Sequence, residues 1–352
     1  MPSHPPFPFI MDKPEFDFVS YFQGNPIYIH QEGSDLLLES ASKLSPQIWH
    51  WNTSTRTLQE ANNVDTAGLF STLDRTFSCH PEIEKVRLVV NNELEQTIKL
   101  HGLSLPNHSN LLEISSEQFW QSTALWLNLP KTQTYPLRYI SNLANNATTS
   151  HPLRPDKTYG TLYRRFIPWL KKTFSIRTFD LERDLKHFNN WMNDSRVAYF
   201  WEEQGTLQEH TTYIENIIAD PHNQPLIGCF DDEPFAYFEA YWAKEDRIAP
   251  FCDASDFDRG WHLLVGESAY RGRQWFSAWF PSLQHYLFLD DTRTQRIVAE
   301  PRHDNQKLIS HASNLGFDKV MVFDFPHKRA QLIRLSRERF FSENRIQPAN
   351  KT

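Results

Sequence analysis

The sequence predicts an α/β protein in two parts, the second built on a β-meander with helices around it. Three observations carry that expectation. At 352 residues the chain is longer than most single hydrophobic cores, so two domains are expected. The stretch 142–160, NLANNATTSHPLRPDKTYG, has the Asn, Thr, Pro and Gly content of a linker and sets a boundary near residue 150. Beyond it, apolar spacings of two and of roughly 3.6 alternate in the order β-α-α-β-β-β-α-β-α-β. The two parts are therefore residues 1–150 and 151–345.

Taken in order, the N-terminal part offers strands at 25–30 (NPIYIH) and 85–90 (KVRLVV) and a helix over 115–128 (SSEQFWQSTALWLN). It carries no chemical signature. His80, His101 and His108 are scattered and read as surface or core residues. In the C-terminal part, 174–180 is a strand, and 181–194 is a helix on the spacing of Leu181, Leu185, Phe188, Trp191 and Met192. A second helix spans 206–220 and stops at Pro221. Strands follow at 225–230 and 234–244, joined by the turn DDE, and at 258–266. A long helix over 271–291 must kink or break at Pro281. A strand at 295–300, a helix over 304–317 ending at Gly316, and a last clear strand at 319–325 complete the pattern.

Composition excludes several classes. Hydrophobic residues at 39% and aromatics at 14% exclude a disordered chain, and no apolar run reaches the roughly 18 residues that a membrane span needs. The start, MPSHPPFPFIMDK, lacks a basic segment followed by an apolar one, so no secretory signal is expected. Cys79, Cys229 and Cys252 have no metal-like spacing and fit reduced thiols in a cytoplasm. With 36 basic and 43 acidic residues the net charge is −7, which argues against a nucleic-acid partner and leaves any anion site local.

Several stretches then point to one family. Arg-Gly opens a helix after the fourth strand of the pattern, and an Asn-initiated helix ends in Gly-Phe, an arrangement that resembles the GCN5-related N-acetyltransferase (GNAT) fold. HPLRPDKTYGTLYRR (151–165), FEAYWAKED (238–246), DRGWHLLVG (258–266), YRG (270–272) and YLFLDDTRTQRIVAEPRHDN (286–305) resemble the hydroxamate-siderophore acyltransferase branch, over about residues 151–340. The resemblance implies a mixed, mostly antiparallel central sheet flanked by helices, preceded here by a smaller α/β domain. It implies acyl transfer from acetyl-CoA or another short acyl-CoA to an N-hydroxylated amine, with no metal. Gln274 and Phe276 depart from the family's phosphate loop, where small residues are usual.

Residue chemistry can be set beside that resemblance. Arg271, Gly272 and Arg273 stand where a helix N-terminus, a close backbone approach and two guanidiniums can meet phosphate; the alternative is a solvated basic turn. His262, Leu264 and Gly266 share one face of their strand, so the imidazole can face a cleft. The resemblance makes this the strand that splays for the pantetheine arm, with Leu264 and Val265 beside the cofactor and a neutral His262 as general base; the alternative is a histidine buried for structure. The resemblance also brings in Asp304 as an acid acting with the histidine, although Asp304 equally fits a helix N-cap. Asn305 is the analogue of an amide that bonds the cofactor arm. Glu239 lies among aromatics, where a carboxylate needs a partner, and is a candidate for a substrate amine, with Trp201 and Trp242 as walls or as ordinary core.

The expected function is acylation of N6-hydroxylysine or an N-hydroxy-diamine such as N-hydroxyputrescine in siderophore assembly, in the cytoplasm, by direct transfer. Other enzymes of that pathway are the partners implied; nucleic acid and membrane are not. Acetylation of protein lysines or another small amine on the same scaffold, and a non-catalytic acyl-CoA-binding assembly module, are the competing expectations.

Overall fold

The structure, a computed structural model, describes residues 16–62, 64–104, 112–128, 137–142 and 149–348. His108 and residues 143–148 of the 142–160 stretch lie outside the described residues. The first sheet joins β1 (Phe18–Phe22), β2 (Asn25–Glu32), β3 (Asp35–Glu39), β4 (Gln47–Asn52), β5 (Thr57–Asn62), β6 (Lys85–Val89) and β7 (Leu112–Ser115) in sequence order. With them go α1 (Thr66–Cys79), α2 (Asn92–Leu100) and the single turn α3 (Ser116–Phe119). Strands β8 (Tyr139–Asn142) and β9 (Thr149–Pro152) pair with each other.

The second sheet has the order β10-β11-β12-β13-β14-β15-β17-β16. Its strands are β10 (Thr161–Ile167), β11 (Lys172–Thr178), β12 (Asn223–Phe230), β13 (Glu233–Trp242), β14 (Arg259–Val265), β15 (Arg296–Ala299), β16 (Asp318–Asp324) and β17 (Arg329–Ser336). Its helices are α4 (Leu181–Met192), α5 (Ser195–Trp201), α6 (Leu207–Ala219), α7 (Ala249–Cys252), α8 (Arg273–Asp290), α9 (Gln306–Asn314) and α10 (Arg337–Ser342). Every pairing in this sheet is antiparallel except β14 with β15.

Local chemistry accounts for the helix ends. The Asp180 carboxylate accepts from Arg183 N to start α4, and Thr206 and Glu209 form a reciprocal capping box on α6. Helix α8 starts at Gly272 with φ 115°, a left-handed conformation that glycine adopts without penalty, and no side chain caps it. Pro281 neither breaks α8 nor ends it: the helix runs on to Asp290, with the Ser282 hydroxyl donating to the Ala278 carbonyl at 2.7 Å.

The helix expected over 115–128 is confined to α3. Its apolar residues are drawn into contacts between the two sheets instead of onto one helix face: Trp120 and Trp126 stack at 5.0 Å, Leu125 bridges to Phe22, and Leu127 bridges to Tyr163. Tertiary burial here overrides local propensity. One apolar core runs from Phe18 and Trp49 in the first sheet through Phe166 and Phe174 into α8 and α10. The junction also holds buried polar contacts, among them His285 on α8, which bonds Tyr163 Oη at 2.9 Å and the Trp120 carbonyl at 2.7 Å. Burial pushes the pKa of this histidine down to about 3, so its ring is neutral.

Candidate active site

The register of three strands builds the site. Along β13 and β14, Glu239 pairs with His262 and Tyr237 with Leu264, so the carboxylate and the imidazole emerge side by side on one face. Strand β14 pairs with β15 only at Arg259 with Ile297 and Gly260 with Val298. From Trp261 to Val265 it keeps its partner β13 but has none in β15, so the sheet opens where His262 sits. Glu300 follows directly after β15, on the other side of that opening.

His262 is gripped at both nitrogens. Nδ1 lies 2.7 Å from Glu239 Oε2 and Nε2 lies 2.9 Å from Glu300 Oε1. Both carboxylates are buried and fully engaged: Glu239 Oε1 accepts from the hydroxyls of Tyr213 at 2.7 Å and Tyr237 at 2.9 Å, and Glu300 Oε2 accepts from Tyr241 at 2.9 Å. Arg247 at 3.4 Å and Lys328 at 3.6 Å add positive charge on Glu300 Oε1. Burial disfavours a charged ring, yet the Glu300 charge and the bonds to both carboxylates outweigh it and push the pKa of His262 up to about 10. Burial would likewise raise both carboxyls, but His262 in particular holds each below the usual carboxylate range.

This corrects the expectation of a neutral imidazole. With an acceptor on each nitrogen, the ring carries two protons, and the three residues titrate as a unit. The ring is not sealed off, its side chain being 19% exposed. Trp201, on α5, stands 6.3 Å from it, and the Tyr241 ring lies tilted against it with centroids 4.9 Å apart.

Other residues fall elsewhere. Asp304 does not meet His262; its carboxylate takes two bonds from Arg302 and one from Tyr199 at the surface, and Glu300, four residues earlier, takes the place beside the ring. Asp304 is not the cap of α9 either, since Asn305 Oδ1 accepts from Leu308 N. That bond engages the side-chain oxygen of the residue expected to meet the cofactor arm. Trp242 points to the opposite face of β13 from Glu239, sandwiched between the guanidiniums of Arg154 and Arg259, each 4.2 Å from its ring. Alternation along a strand separates residues 239 and 242, so the two cannot line one cleft.

At the far end of β14 the backbone turns under two cations. Arg196 Nη2 donates to the Val265 carbonyl at 2.6 Å and Arg271 Nη2 to the Gly266 carbonyl at 2.8 Å. Arg271 Nε is buried without a partner, Gly272 has open space where a side chain would stand, and the first turn of α8 is uncapped. These donors fit a pyrophosphate. Leu264 is buried behind them and Val265 is half-buried. Arg196 was not legible as a site residue, because nothing in SRVAYFW marks a helix that brings an arginine to β14.

Among the described residues no group of His, Cys, Asp and Glu is placed to hold a metal ion, and no helix is long and apolar enough to cross a membrane. Burial pushes the thiols of Cys229 and Cys252 up to about 11 and about 12, away from the reactive thiolate.

Comparison with known proteins adds the context. A family model described as an acetyltransferase (GNAT) domain matches residues 180–325. The chain is 37% identical over 322 residues to an N(6)-hydroxylysine O-acetyltransferase of Escherichia coli, covering 90% of this chain and 98% of that protein. It is 46% identical over 195 residues to an N(5)-hydroxyornithine:cis-anhydromevalonyl coenzyme A-N(5)-transacylase of Beauveria bassiana, covering 54% of this chain and 43% of that protein. A solved structure of an uncharacterised protein from Bacillus halodurans superposes with a TM-score of 0.51 at 26% identity, over 54% of this chain and 96% of that one.

Proposed function

This chain belongs to the GNAT acetyltransferase family, and we propose that it transfers an acyl group, acetyl in the first instance, from coenzyme A to the nitrogen of an N-hydroxylated amine. The product is a hydroxamate for siderophore assembly, and N6-hydroxylysine or N-hydroxyputrescine is the substrate class. The observation that carries this reading is the Glu239–His262–Glu300 unit set at the opening between β14 and β15. Similarity over 90% of the chain to a hydroxylysine acetyltransferase supports the substrate class. We assign transfer to residues 151–345, with residues 1–150 as a supporting domain, and place the enzyme in the cytoplasm.

In the proposed step the substrate nitrogen attacks the thioester carbon, the C–N bond forms as the C–S bond breaks, and coenzyme A leaves as its thiolate. The nitrogen gives up one proton. The acceptor is the three-residue unit and not the ring alone: two buried carboxylates share the protons of His262, so an added proton is taken up across the unit. Tyr213, Tyr237 and Tyr241 keep the carboxylates fixed, and Trp201 offers a wall for the substrate chain. Arg196, Arg271, Gly272, Arg273 and the start of α8 hold the pyrophosphate, and proximity supplies much of the rate. Asp304, bound to Arg302, is left outside the proton path.

The acceptor atom deserves a commitment, because one relative's name puts the acetyl group on oxygen and the other's puts it on nitrogen. We place it on nitrogen. The test is thiol release from acetyl-CoA with N-hydroxylysine, N-hydroxyputrescine, N-hydroxycadaverine and a lysine peptide, followed by product analysis. A hydroxamate, recognised by its coloured ferric complex, is expected. An O-acyl product, or turnover on the peptide alone, overturns the reading.

A further inference from the structure

One oxygen of Glu300 faces three cations. His262 Nε2 lies 2.9 Å from Oε1, while Arg247 Nη2 and Lys328 Nζ stand off the same atom at 3.4 Å and 3.6 Å. The other oxygen, Oε2, accepts from Tyr241. The contacts of Arg247 and Lys328 are long for hydrogen bonds and hold mainly by charge. Arg247 Nη2 also lies 3.5 Å from His262 Nε2, but with a proton on that nitrogen two donors meet there and no bond forms. Neither cation has a further hydrogen bond or ion pair among the described residues. A guanidinium carries five N–H donors and an ammonium three, so both bring spare donors to the opening beside His262.

Their places are fixed by one ring. Phe325, buried at the start of the turn between β16 and β17, lies 5.5 Å from Arg247 Cζ and 5.6 Å from Lys328 Nζ, measured from its centroid. The Phe325 N–H closes that turn on the Lys328 carbonyl at 2.8 Å. Phe251 and Phe323 pack against Phe325 in turn, with centroids 5.2 Å and 4.8 Å away. The two cations are thus held against an aromatic face before any ligand arrives. The side chain of Arg247 is 48% exposed and that of Lys328 17%, so both can be approached from outside, Arg247 more freely.

A hydroxylamine presents two nucleophilic atoms joined by one bond. When its nitrogen stands where the unit around His262 takes its proton, its oxygen is one bond away, and Arg247 Nη2 is a spare donor beside that place. Oxygen lone pairs held by cationic N–H groups are drawn away from attack, which leaves the nitrogen as the nucleophile. A protonated amine offers these donors no acceptor and adds a charge of their own sign.

We propose that Arg247 and Lys328 bind the hydroxyl oxygen of the N-hydroxylated amine, and that this contact both selects the hydroxylamine and directs the acyl group to its nitrogen. The proposal rests on the transfer reading above and adds to it the residues that read the N-hydroxyl. In the step, the C–N bond forms as the C–S bond breaks, the nitrogen's proton passes to the three-residue unit, coenzyme A leaves as its thiolate, and the hydroxyl keeps its own proton.

The full chain is compared with Arg247→Met, Lys328→Met and Arg247→Lys, with acetyl-CoA and either N6-hydroxylysine or lysine, and the products are separated into N-acyl and O-acyl forms. In both methionine variants the ratio of kcat/KM for N6-hydroxylysine to that for lysine is expected to fall by about tenfold or more. An O-acyl product is expected to appear beside the hydroxamate, and Arg247→Lys is expected to retain most of the ratio. An unchanged ratio, an equal fall for both substrates, or a product that stays wholly hydroxamate in both methionine variants overturns the proposal. If Lys328→Met fails to fold, the half-exposed Arg247 decides through its two variants. A wild-type chain that forms no hydroxamate defeats the transfer reading itself. Hydroxamate from the wild type, with an unchanged ratio in the variants, defeats only the assignment of Arg247 and Lys328.

Discussion

His262 Nε2 and Glu300 Oε1 lie 2.9 Å apart across the gap where β14 has parted from β15. The bond spans the two strands at the point where the sheet no longer holds them, and it supplies the largest favourable contribution to the charge on the ring. In Glu300→Gln the ring keeps an acceptor but loses that charge. Its titration, followed by proton NMR, is expected to move down from about 10 by roughly a unit or more. The kcat is expected to fall by about 10²-fold or more, as for loss of a positioned acid–base group. A ring that still titrates as in the wild type removes Glu300 from the unit.

The same contact makes stability depend on pH. The folded pKa of His262 is raised, so the group stabilises the fold fully below its unfolded value of about 6.5. That contribution is lost as pH rises through about 10. The wild-type melting temperature should therefore decline over this window, and Glu300→Gln should decline less. Parallel curves for the two proteins would exclude the linkage.

Substitution of the ring separates chemistry from structure. His262→Ala leaves two buried carboxylates facing each other without the cation between them. Breaking such an arrangement costs about 3–5 kcal/mol, so a lower denaturant midpoint is expected along with lost turnover. His262→Ala combined with Glu239→Gln and Glu300→Gln removes the charge conflict; it should recover stability and stay inactive. Recovery of activity in the triple variant would show that the unit is not the proton acceptor.

How far the sequence reached can be judged from these residues. His262 and Glu239 were legible because a strict period of two puts them on one face of neighbouring strands. Glu300 was missed because a single glutamate ending VAE reads as a strand end, and its place depends on how far β14 and β15 diverge. Asp304 attracted attention through its position before a helix, which Arg302 and Tyr199 explain locally. Strand β17 was missed although it lies inside the sheet: RAQLIRLS mixes charges into a buried run, and its partners β15 and β16 are set by topology alone. Helix α4 was legible from the spacing of its apolar residues and α6 from the proline beyond its end, both local signals.

At the cofactor end, Arg271→Ala with Arg273→Ala is expected to raise KM for acetyl-CoA by about tenfold or more and to leave KM for the amine nearly unchanged. Arg271 donates to the Gly266 carbonyl through Nη2 while its Nε has no partner, so a phosphate oxygen would complete it. The effect should shrink with added salt, because the half-exposed turn is screened. A rise confined to the amine KM would move both arginines out of the cofactor site.

The last expectation concerns substrate choice: the N-hydroxylated amine should exceed its unhydroxylated counterpart by about two orders of magnitude or more in kcat/KM. A primary amine, with a pKa near 10.4 for lysine, reaches the site protonated and has no lone pair to offer. The hydroxylamine is far less basic and arrives neutral. The site compounds the difference, since His262, Arg247 and Lys328 already surround Glu300 with positive charge and oppose an incoming ammonium next to the ring. A hydroxyl on the attacking nitrogen also gives the polar groups at the opening a partner, and a site built for such a bond discriminates strongly against the molecule that lacks it. Steady-state kinetics with lysine and N6-hydroxylysine, and with putrescine and N-hydroxyputrescine, measure the ratio within each pair. Comparable values within both pairs would mean that this unit deprotonates ordinary amines, and the enzyme would then be a general amine acetyltransferase.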